Sequence, residues 1–277
     1  MKYSVVINQF NRTKYVHRAI YSCQSLLKNK DDEVEIIVVS DFEIQSERKR
    51  ITNIVSDESA IGYRYAQGLK QATGDWIFLL DDDDYFLPDK LERYRNIDRH
   101  IQVIKEYSGP RIRNIITDKK QKWSKWLKQV IDYHVDWHGS QYCFNQAFKE
   151  KLFANDIESV NTSFDKYLFA VAMDDVEGLL LQNKTRTVKV NHADSKMHSM
   201  TAKDKRDFYI RTVEMISRVE IPSLYRDYVH DHNAFLATGH KGYYEKIEAY
   251  LPFINRFYYQ HIWKPYADVD DFRPCCK

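Results

Sequence analysis

The sequence predicts an α/β protein with a mixed, mostly parallel sheet flanked by helices and with a C-terminal helical appendage. Short apolar runs alternate with segments of helical periodicity in the first part of the chain. These runs are apolar on both faces, as in strands that helices cover on two sides. Beyond Thr201 the pattern becomes helical and rich in aromatic residues. We expect a sheet domain over residues 1–200 and an aromatic helical extension over residues 201–277 that packs on it.

Composition permits this architecture and excludes several classes of protein. The 277 residues are 43% hydrophobic and 30% charged, which allows a full core without disulfides. The 42 Lys and Arg residues against 40 Asp and Glu residues give a net charge of +2, so whole-chain charge names no partner. The 4 Cys lack metal-binding spacing, and we find no signal sequence and no transmembrane segment. We therefore expect a cytoplasmic protein, with peripheral attachment to a membrane as the alternative.

The first elements follow from hydrophobic periodicity. Residues 3–7, 34–39 and 76–80 are short apolar runs and are predicted as buried strands. A helix is predicted between the first two strands, because its apolar residues recur at helical spacing: Val16, Ala19, Ile20, Cys23, Leu26 and Leu27. A second helix carries Tyr65, Leu69 and Ala72 on one face and is expected to end in a left-handed cap at Gly74.

The later elements are predicted from weaker patterns. Pro88 is expected to open a helix. Its apolar stripe consists of Leu91, Tyr94, Ile97, Ile101 and Ile104. Further helices are predicted over residues 146–153 and 164–183, and further strands over residues 113–117 and 187–191.

Polar clusters follow three of the predicted strands: residues 8–12, Asp41, and residues 81–84. Ligands of open α/β sheets bind at the carboxyl ends of strands, so these clusters should meet in one crevice. Neither GxGxxG after the first strand nor GxxxxGK[ST] is present to hold phosphates. Two interpretations of residues 81–84 stay open: a site for Mg²⁺ or Mn²⁺, or an acidic loop whose last residue caps the helix after it.

A specific motif surrounds the acidic run. Residues 75–91, DWIFLLDDDDYFLPDKL, are similar to the Gly-Glu-Tyr-Ile-x-Phe-Leu-Asp-x-Asp-Asp segment and following Pro-x-x-Leu of glycosyltransferase family 2. Residues 4–7 with Asn11 and Arg12, and then residues 35–41, match in the same order and spacing. Roughly the first two-thirds of the chain thus resembles these nucleotide-sugar-dependent transferases, whose fold is the Rossmann-like GT-A fold.

The resemblance implies a metal-dependent, inverting transfer of a sugar from a nucleoside-diphosphate sugar, with a UDP-sugar favoured, to an acceptor hydroxyl. The acceptor would be a glycan or a lipid-linked molecule. If the Lys and Trp residues of 119–128 are functional, the acceptor would be a polyanion, and nucleic acid would enter only as modified DNA. Mn²⁺ or Mg²⁺ is the implied cofactor. Asp83 and Asp81 are the implied metal ligands. His192 and His198 are further candidate ligands, and the alternative for both is a solvent-exposed histidine that binds no metal.

The resemblance also implies the remaining site residues. Phe10 would stack on the base, Asp41 would bind the uracil edge, and Arg64 would contact the nucleotide. The full nucleotide-sugar set is Gln9, Phe10, Asn11, Arg12, Asp41, Arg64, Asp81 and Asp82. Asp175 would be the catalytic base, with Asp174 in reserve. Trp137 and His138 would contact the acceptor, although a core position for Trp137 is an equal alternative.

The sequence also bears on two other function classes. Lys residues between 119 and 128 flank Trp123 and Trp126, a pattern that holds polyanions but also forms ordinary solvated helical faces. A non-catalytic GT-A-like module that binds a polyanion or a partner through this segment is therefore an alternative. A nucleotidyltransferase would need a Gly-rich basic triphosphate loop, which the sequence lacks.

Overall fold

The structure is a computed structural model. It describes residues 1–26, 32–44, 51–106, 138–172, 175, 178–182, 185–190 and 200–218. The strands are β1 (Lys2–Asn8), β2 (Glu33–Ser40), β3 (Ile51–Val55), β4 (Trp76–Asp81), β5 (Tyr85–Phe86), β6 (Val103–Glu106), β7 (Tyr142–Asn145), β8 (Leu179–Gln182) and β9 (Thr187–Val188). The α-helices are α1 (Thr13–Ser25), α2 (Ile61–Gln71), α3 (Gln146–Ala154), α4 (Phe164–Ala172) and α5 (Ala202–Arg218).

A seven-stranded sheet in the order β3-β2-β1-β4-β7-β6-β8 forms the centre of the described structure. Strands β1 to β4 are mutually parallel, β7 is antiparallel to both of its neighbours, and β6 and β8 are parallel to each other. This arrangement confirms the predicted mixed, mostly parallel α/β fold. Asn8 lies opposite Val39 on one side and Asp81 on the other. The ends of β1, β2 and β4 therefore meet at one edge, which we call the carboxyl edge.

Helices cover both faces of the sheet, and alternate residues of each strand enter different cores. Val6 packs in one core with Tyr65 and Leu69 of α2, whereas Val5 and Ile7 pack in the other with residues of α1. The predicted apolar stripe of α1 is buried from Val16 through Leu26, and residue 27 lies outside the described residues. Burial on both faces explains why these strands are apolar throughout.

Two glycines let α2 and its following turn approach the sheet closely. A Cβ on Gly68 would lie 2.4 Å from a Val6 methyl carbon. The expected left-handed cap at Gly74 is wrong, because α2 already ends at Gln71 and the next residue, Ala72, is extended. A Cβ on Gly74 would instead lie 2.5 Å from the backbone nitrogen of Ser4, so this glycine serves close packing against β1.

The helix expected after Pro88 is also wrong. The chain forms a short 3₁₀ helix at Leu91–Tyr94 and then enters β6, which contains Ile104. Short apolar spacings do not separate a helix from successive turns and strands, and here the strand forms because β7 and β8 both pair with it. The long helix predicted over residues 164–183 likewise ends at Ala172, and residues 179–182 form the edge strand β8.

Of three other late predictions, one is confirmed, one is confirmed in shorter form and one lies outside the described residues. The helix predicted over residues 146–153 is α3, and the last strand is reduced to β9, which pairs with β5. The strand predicted over residues 113–117 lies outside the described residues. Among the described residues, none belongs to a helix long and apolar enough to span a membrane.

The described start of the predicted C-terminal extension packs against the sheet domain. Met215 of α5 is buried in the core that contains α2, α3 and α4. The Thr212 hydroxyl lies 2.6 Å from that of Ser163, just before α4. The division into two regions at residue 200 stays a prediction.

A fully buried ion pair joins the 3₁₀ segment to β6. Lys90 Nζ lies 2.8 Å from Glu106 Oε2, and both side chains have 0% exposure. Tyr94 donates to the other carboxylate oxygen at 2.7 Å, and the backbone of Arg186 and the hydroxyl of Thr187 donate to Oε2 at 3.1 Å. Burial raises the pKa of Glu106, but Lys90 and these donors outweigh it, so the net pKa is lowered.

We expect Lys90→Met to lower the free energy of unfolding by about 3–5 kcal/mol, because the Glu106 charge stays buried without its partner.

Glu106 contributes stability above its ordinary pKa of 4.5, and that contribution is lost as pH falls through its lower folded value. The free-energy difference between wild type and Glu106→Gln should therefore shrink below about pH 4.5 in urea unfolding series. Glu158→Gln, in an exposed pair with Lys70, is the control and should change stability by under about 1 kcal/mol. A difference between wild type and Glu106→Gln that does not change with pH would contradict this account.

Candidate nucleotide and metal site

A tight turn after β4 divides the acidic run into two pairs. The backbone N–H of Asp84 donates to the carbonyl oxygen of Asp81 at 3.2 Å, which closes the turn over residues 81–84. Asp81 and Asp84 lie beside His138, whereas Asp82 and Asp83 pair with Arg12. The interpretation of Asp84 as a helix cap is wrong, since its Oδ1 accepts from the backbone of Val190 at 3.1 Å.

The first pair forms a group of metal-ligating atoms with His138. One ligand atom from each of Asp81, Asp84 and His138 lies within 4.8 Å of the others. The Tyr65 hydroxyl donates to Asp81 Oδ1 at 2.8 Å, and the backbone N–H of Asp81 donates to the Ser140 hydroxyl at 2.9 Å. These bonds fix the end of β4 against α2 and against the segment that carries His138.

The second pair is bridged by one guanidinium. Arg12 Nη2 lies 2.5 Å from Asp82 Oδ1, and Nη1 lies 2.6 Å from Asp83 Oδ2. The other Asp82 oxygen, Oδ2, is buried without a hydrogen-bond partner in the described part of the chain. Burial raises the pKa of Asp82 to about 7. The nearby Arg12 charge opposes this rise, and the Asp83 carboxylate adds to it. One guanidinium thus compensates this pair incompletely.

Charge at this turn fits a divalent cation. Burial and the neighbouring carboxylates raise the pKa of Asp81, and burial raises that of Asp84. Carboxylate oxygens and an imidazole are donors that Mn²⁺ accepts, and Mg²⁺ prefers the oxygens. Three observations indicate that this turn suits a cation. The metal-ligating atoms converge, the carboxyl pKa values are raised, and one Asp82 oxygen is buried without a partner in the described part of the chain. The residues present therefore fit the metal that the resemblance implies, with Asp84 and His138 in addition to Asp81.

The loop after β1 is folded onto the end of β2. Asn11 has a φ of 58°, a left-handed conformation that Asn tolerates better than other non-glycine residues. This turn lets the Asn11 backbone N–H donate to Asp41 Oδ2 at 2.7 Å. Gln9 accepts from the Asp41 backbone N–H at 3.2 Å. The structure therefore brings Gln9, Asn11 and Asp41 together, as the sequence predicted.

Arg64 lies beneath this loop with 0% exposure. Its guanidinium donates to Asn8 Oδ1 at 2.9 Å and to several backbone carbonyl oxygens, those of Gln9, Val39, Ser56 and Glu58. It also lies 4.8 Å from the centre of the Phe10 ring. The arrangement positions Phe10 and ties the loops after β1 and β3 to the end of β2. Burial lowers the pKa of Arg64, against the raising effect of Asp41.

Asp175 is not brought to this group. Its Oδ2 accepts from Gln102 at 2.9 Å and lies 3.5 Å from Lys151 Nζ. Gln102 immediately precedes β6, at the level of Trp76, where β4 begins. Asp81 ends β4 five residues later, about 16 Å farther along the strand. Asp175 therefore lies near the level where β4 begins, at the other end of this strand from Asp81.

Other predicted site residues lie outside the described part of the chain: Asp174, His192, His198, Trp137 and the Lys and Trp residues of 119–128. Sequence reasoning missed the local roles of Tyr65 and Ser140, and it considered Asp84 individually only in the alternative of a helix cap. A four-residue turn offers a signal for Asp84, because its first and last residues approach each other. Tyr65 and Ser140 carry no such signal, since only the folded sheet brings them to Asp81.

Comparisons with known proteins agree with this architecture. The model of the family described as "Glycosyl transferase family 2" matches residues 4–96. An uncharacterized glycosyltransferase from Haemophilus influenzae is 23% identical over 185 residues, which are 60% of this chain and 69% of that protein. A GalNAc(5)-diNAcBac-PP-undecaprenol beta-1,3-glucosyltransferase from Campylobacter jejuni is 34% identical over 99 residues, 31% of each chain. The chain thus covers more than two-thirds of the first relative and less than a third of the second.

Solved structures share the fold at low sequence identity. The crystal structure of S. aureus TarS 1–349 superposes with a TM-score of 0.58 at 16% identity, over 92% of this chain and 77% of that one. Glucosyl-3-phosphoglycerate synthase from Mycobacterium tuberculosis superposes with a TM-score of 0.50 at 16% identity, over 80% and 81% of the two chains. With the matched motifs and the sheet described above, these likenesses lead to one assignment. Residues 4–96 match glycosyltransferase family 2, and the chain is a transferase enzyme with the GT-A fold.

Proposed function

We propose that this chain transfers a sugar from a nucleoside-diphosphate sugar, with UDP as the favoured nucleotide, to an acceptor hydroxyl with inversion. The observation that carries the proposal is the convergence of Asp81, Asp84 and His138 at the carboxyl edge, beside the loop of Phe10 and Asp41. Related structures supply support: TarS is known in complex with UDP-GlcNAc, and the Mycobacterium synthase in complex with Mn²⁺ and UDP. A mannosyltransferase from Pyrobaculum calidifontis is known in complex with GDP-Man and Mn²⁺. A GDP-sugar is therefore the competing donor.

The nucleotide would occupy the crevice between the loop after β1 and the end of β2. Phe10 is half-buried over the Arg64 guanidinium, so its ring is held in place for stacking on a base. Asp41 keeps Oδ2 on Asn11 and would use its other oxygen to accept from an N–H of the base. Gln9 and Asn11 act by holding Asp41, and Arg64 acts by holding Phe10.

The diphosphate would lie over the turn of residues 81–84. Asp81, Asp84 and His138 would hold Mn²⁺ or Mg²⁺, with Asp83 as the further ligand that the resemblance implies. A bound divalent cation neutralises the developing charge of a diphosphate leaving group. Tyr65 and Ser140 keep Asp81 in place for this contact. Asp82 would then be available to the ribose, as the resemblance implies.

The acceptor side of the site is assigned from the resemblance. Asp175 as the base, with Asp174 in reserve, and Trp137 as an acceptor contact stay predictions that the resemblance alone supports. His138 lies at the metal group, so we assign it there before the acceptor. Glycan, lipid-linked and polyanionic acceptors remain in the proposal, as do a cytoplasmic location and a role for the aromatic C-terminal extension in shaping the acceptor groove.

A panel of nucleotides and nucleotide sugars with and without Mn²⁺ tests the donor and the metal together. We expect UDP or a UDP-sugar to raise the thermal midpoint in a Mn²⁺-dependent way, by the equivalent of about 2.7 kcal/mol at a hundredfold excess over Kd. Asp81→Asn should abolish the Mn²⁺-dependent part and raise metal-free stability by about 1 kcal/mol, because it removes a like charge. Asp207→Asn, on the exposed face of α5, is the control and should change neither. Stabilisation that is the same with Mn²⁺ and with a chelator would refute the metal site.

Arg64→Lys separates a positioning role from direct contact with the nucleotide. If Arg64 positions the loops, the variant loses several hydrogen bonds to buried carbonyls and should unfold with about 3 kcal/mol less free energy. Lys70→Met, on the exposed side of the same helix, should lose under about 1 kcal/mol in the same urea titration. Wild-type stability together with weakened nucleotide binding would instead assign Arg64 to direct contact.

Asp175→Asn tests the proposed base. If Asp175 is the base that the resemblance implies, the variant should lower kcat by a factor of about 10²–10⁴ while donor binding and stability are kept. Its position beside Gln102 and Lys151, at the level where β4 begins, instead favours retained transfer. Transfer assays and donor-induced thermal shifts on the same preparation measure the two effects. Retained transfer with a lower free energy of unfolding would assign Asp175 to its contacts with Gln102 and Lys151.

A further inference from the structure

Arg12 is the side chain that bridges Asp82 and Asp83, in the same turn as Asp81 and Asp84. It immediately precedes α1, and its side chain is 28% exposed, whereas that of Asp82 is 2% exposed. Its two terminal nitrogens contact different residues, Asp82 and Asp83, at 2.5 and 2.6 Å. Burial lowers the pKa of Arg12, but Asp82 and Asp83 outweigh this effect and raise it. The guanidinium is therefore held by charge and lies partly in solvent.

Neighbouring contacts keep the turn in place independently of Arg12. Arg18 of α1 donates to the backbone carbonyl oxygen of Asp83 at 2.6 Å, and its guanidinium lies 5.3 Å from the centre of the Tyr85 ring. Tyr65 and Ser140 hold Asp81 from the other side. Arg12 can therefore leave the carboxylates while the turn keeps its shape.

We propose that Arg12 is an exchangeable counter-ion of the metal site. It occupies Asp82 and Asp83 in the metal-free protein, a divalent cation displaces it from Asp83, and the freed guanidinium binds the diphosphate of the donor. This inference rests on the proposed function, and it adds a competition between a side chain and the metal. A guanidinium and a metal ion compete for the same Asp83 oxygens, and a planar guanidinium then suits two phosphate oxygens.

If Arg12 exchanges with the metal, it affects metal binding and nucleotide binding differently than if it only stabilises the turn of residues 81–84. Because Arg12 competes with the metal when no nucleotide is present, it lowers the apparent affinity for the metal alone. Because the diphosphate gives Arg12 another anionic partner, the nucleotide removes this competition. Metal and nucleotide therefore bind with positive coupling, and the coupling passes through Arg12.

The test uses the full chain with Mn²⁺ alone, and with UDP at saturating Mn²⁺, both measured by calorimetric titration. Arg12→Gln should bind Mn²⁺ alone about fivefold or more tightly, and should bind UDP about tenfold more weakly in the presence of Mn²⁺. Arg95→Gln is the matched control. It breaks an Arg–Asp pair of the same 2.6 Å length, with Asp32, away from the carboxyl edge, and should leave both affinities within about twofold.

Opposite shifts in the two affinities support the exchange. Weaker binding of both ligands by Arg12→Gln would overturn it, because loop support alone gives that result, and unchanged Mn²⁺ binding would overturn it as well. If Arg12→Gln does not fold, Arg12→Lys is used, since it keeps one charge but cannot span both carboxylates, and it should shift both affinities in the same directions. Failure of the wild type to bind either ligand would overturn the proposed function, whereas normal wild-type binding without opposite shifts overturns the exchange alone.

Discussion

Four consecutive carboxylates at the end of a buried strand are the constraint on which the rest of the site depends. Like charges placed close together in a partly buried turn oppose folding unless donors and cations compensate them. The turn meets this demand by separating the charges, with Asp81 and Asp84 toward His138 and Asp82 and Asp83 toward Arg12. The neighbouring elements supply the donors or acceptors, so α1, α2 and the segment before β7 all contribute a side chain to this one turn.

Polar contacts extend from the turn into the core as a continuous chain. The Ser140 hydroxyl accepts from the Asp81 backbone, and the Ser140 carbonyl oxygen lies 3.0 Å from the Thr187 hydroxyl. Lys90 donates to that same hydroxyl at 3.0 Å. Lys90 is paired in turn with Glu106. Because each of these groups is buried and partnered, a displacement at one end leaves a buried polar group unsatisfied at the next. This series of polar contacts thus fixes the β5–β9 pair and the 138–141 segment relative to Asp81.

How far the sequence predicts this structure depends on how local each signal is. The first strands and α1 were predictable because each is a continuous apolar pattern of adequate length, and the carboxyl edge followed from parallel topology. The β3 strand was missed because its five residues are only half-buried, and β6 was mistaken for helix because its pairing partners are distant in sequence. The role of Asp84 depends on one turn, and that of His138 on a segment more than fifty residues away in sequence. Sequence periodicity contains neither relation.

The two arginines at the carboxyl edge show how one residue type serves two purposes. Arg64 is fully buried and bound mainly by backbone carbonyls, whose positions are set by the sheet itself. Moving it would leave several buried acceptors unsatisfied, so its place is fixed by geometry. Arg12 is partly exposed and bound by two carboxylates, whose attraction for it changes when another cation or anion arrives. Of these two cations, Arg64 therefore shapes the crevice permanently, and Arg12 is the one that can respond to the charge of a ligand.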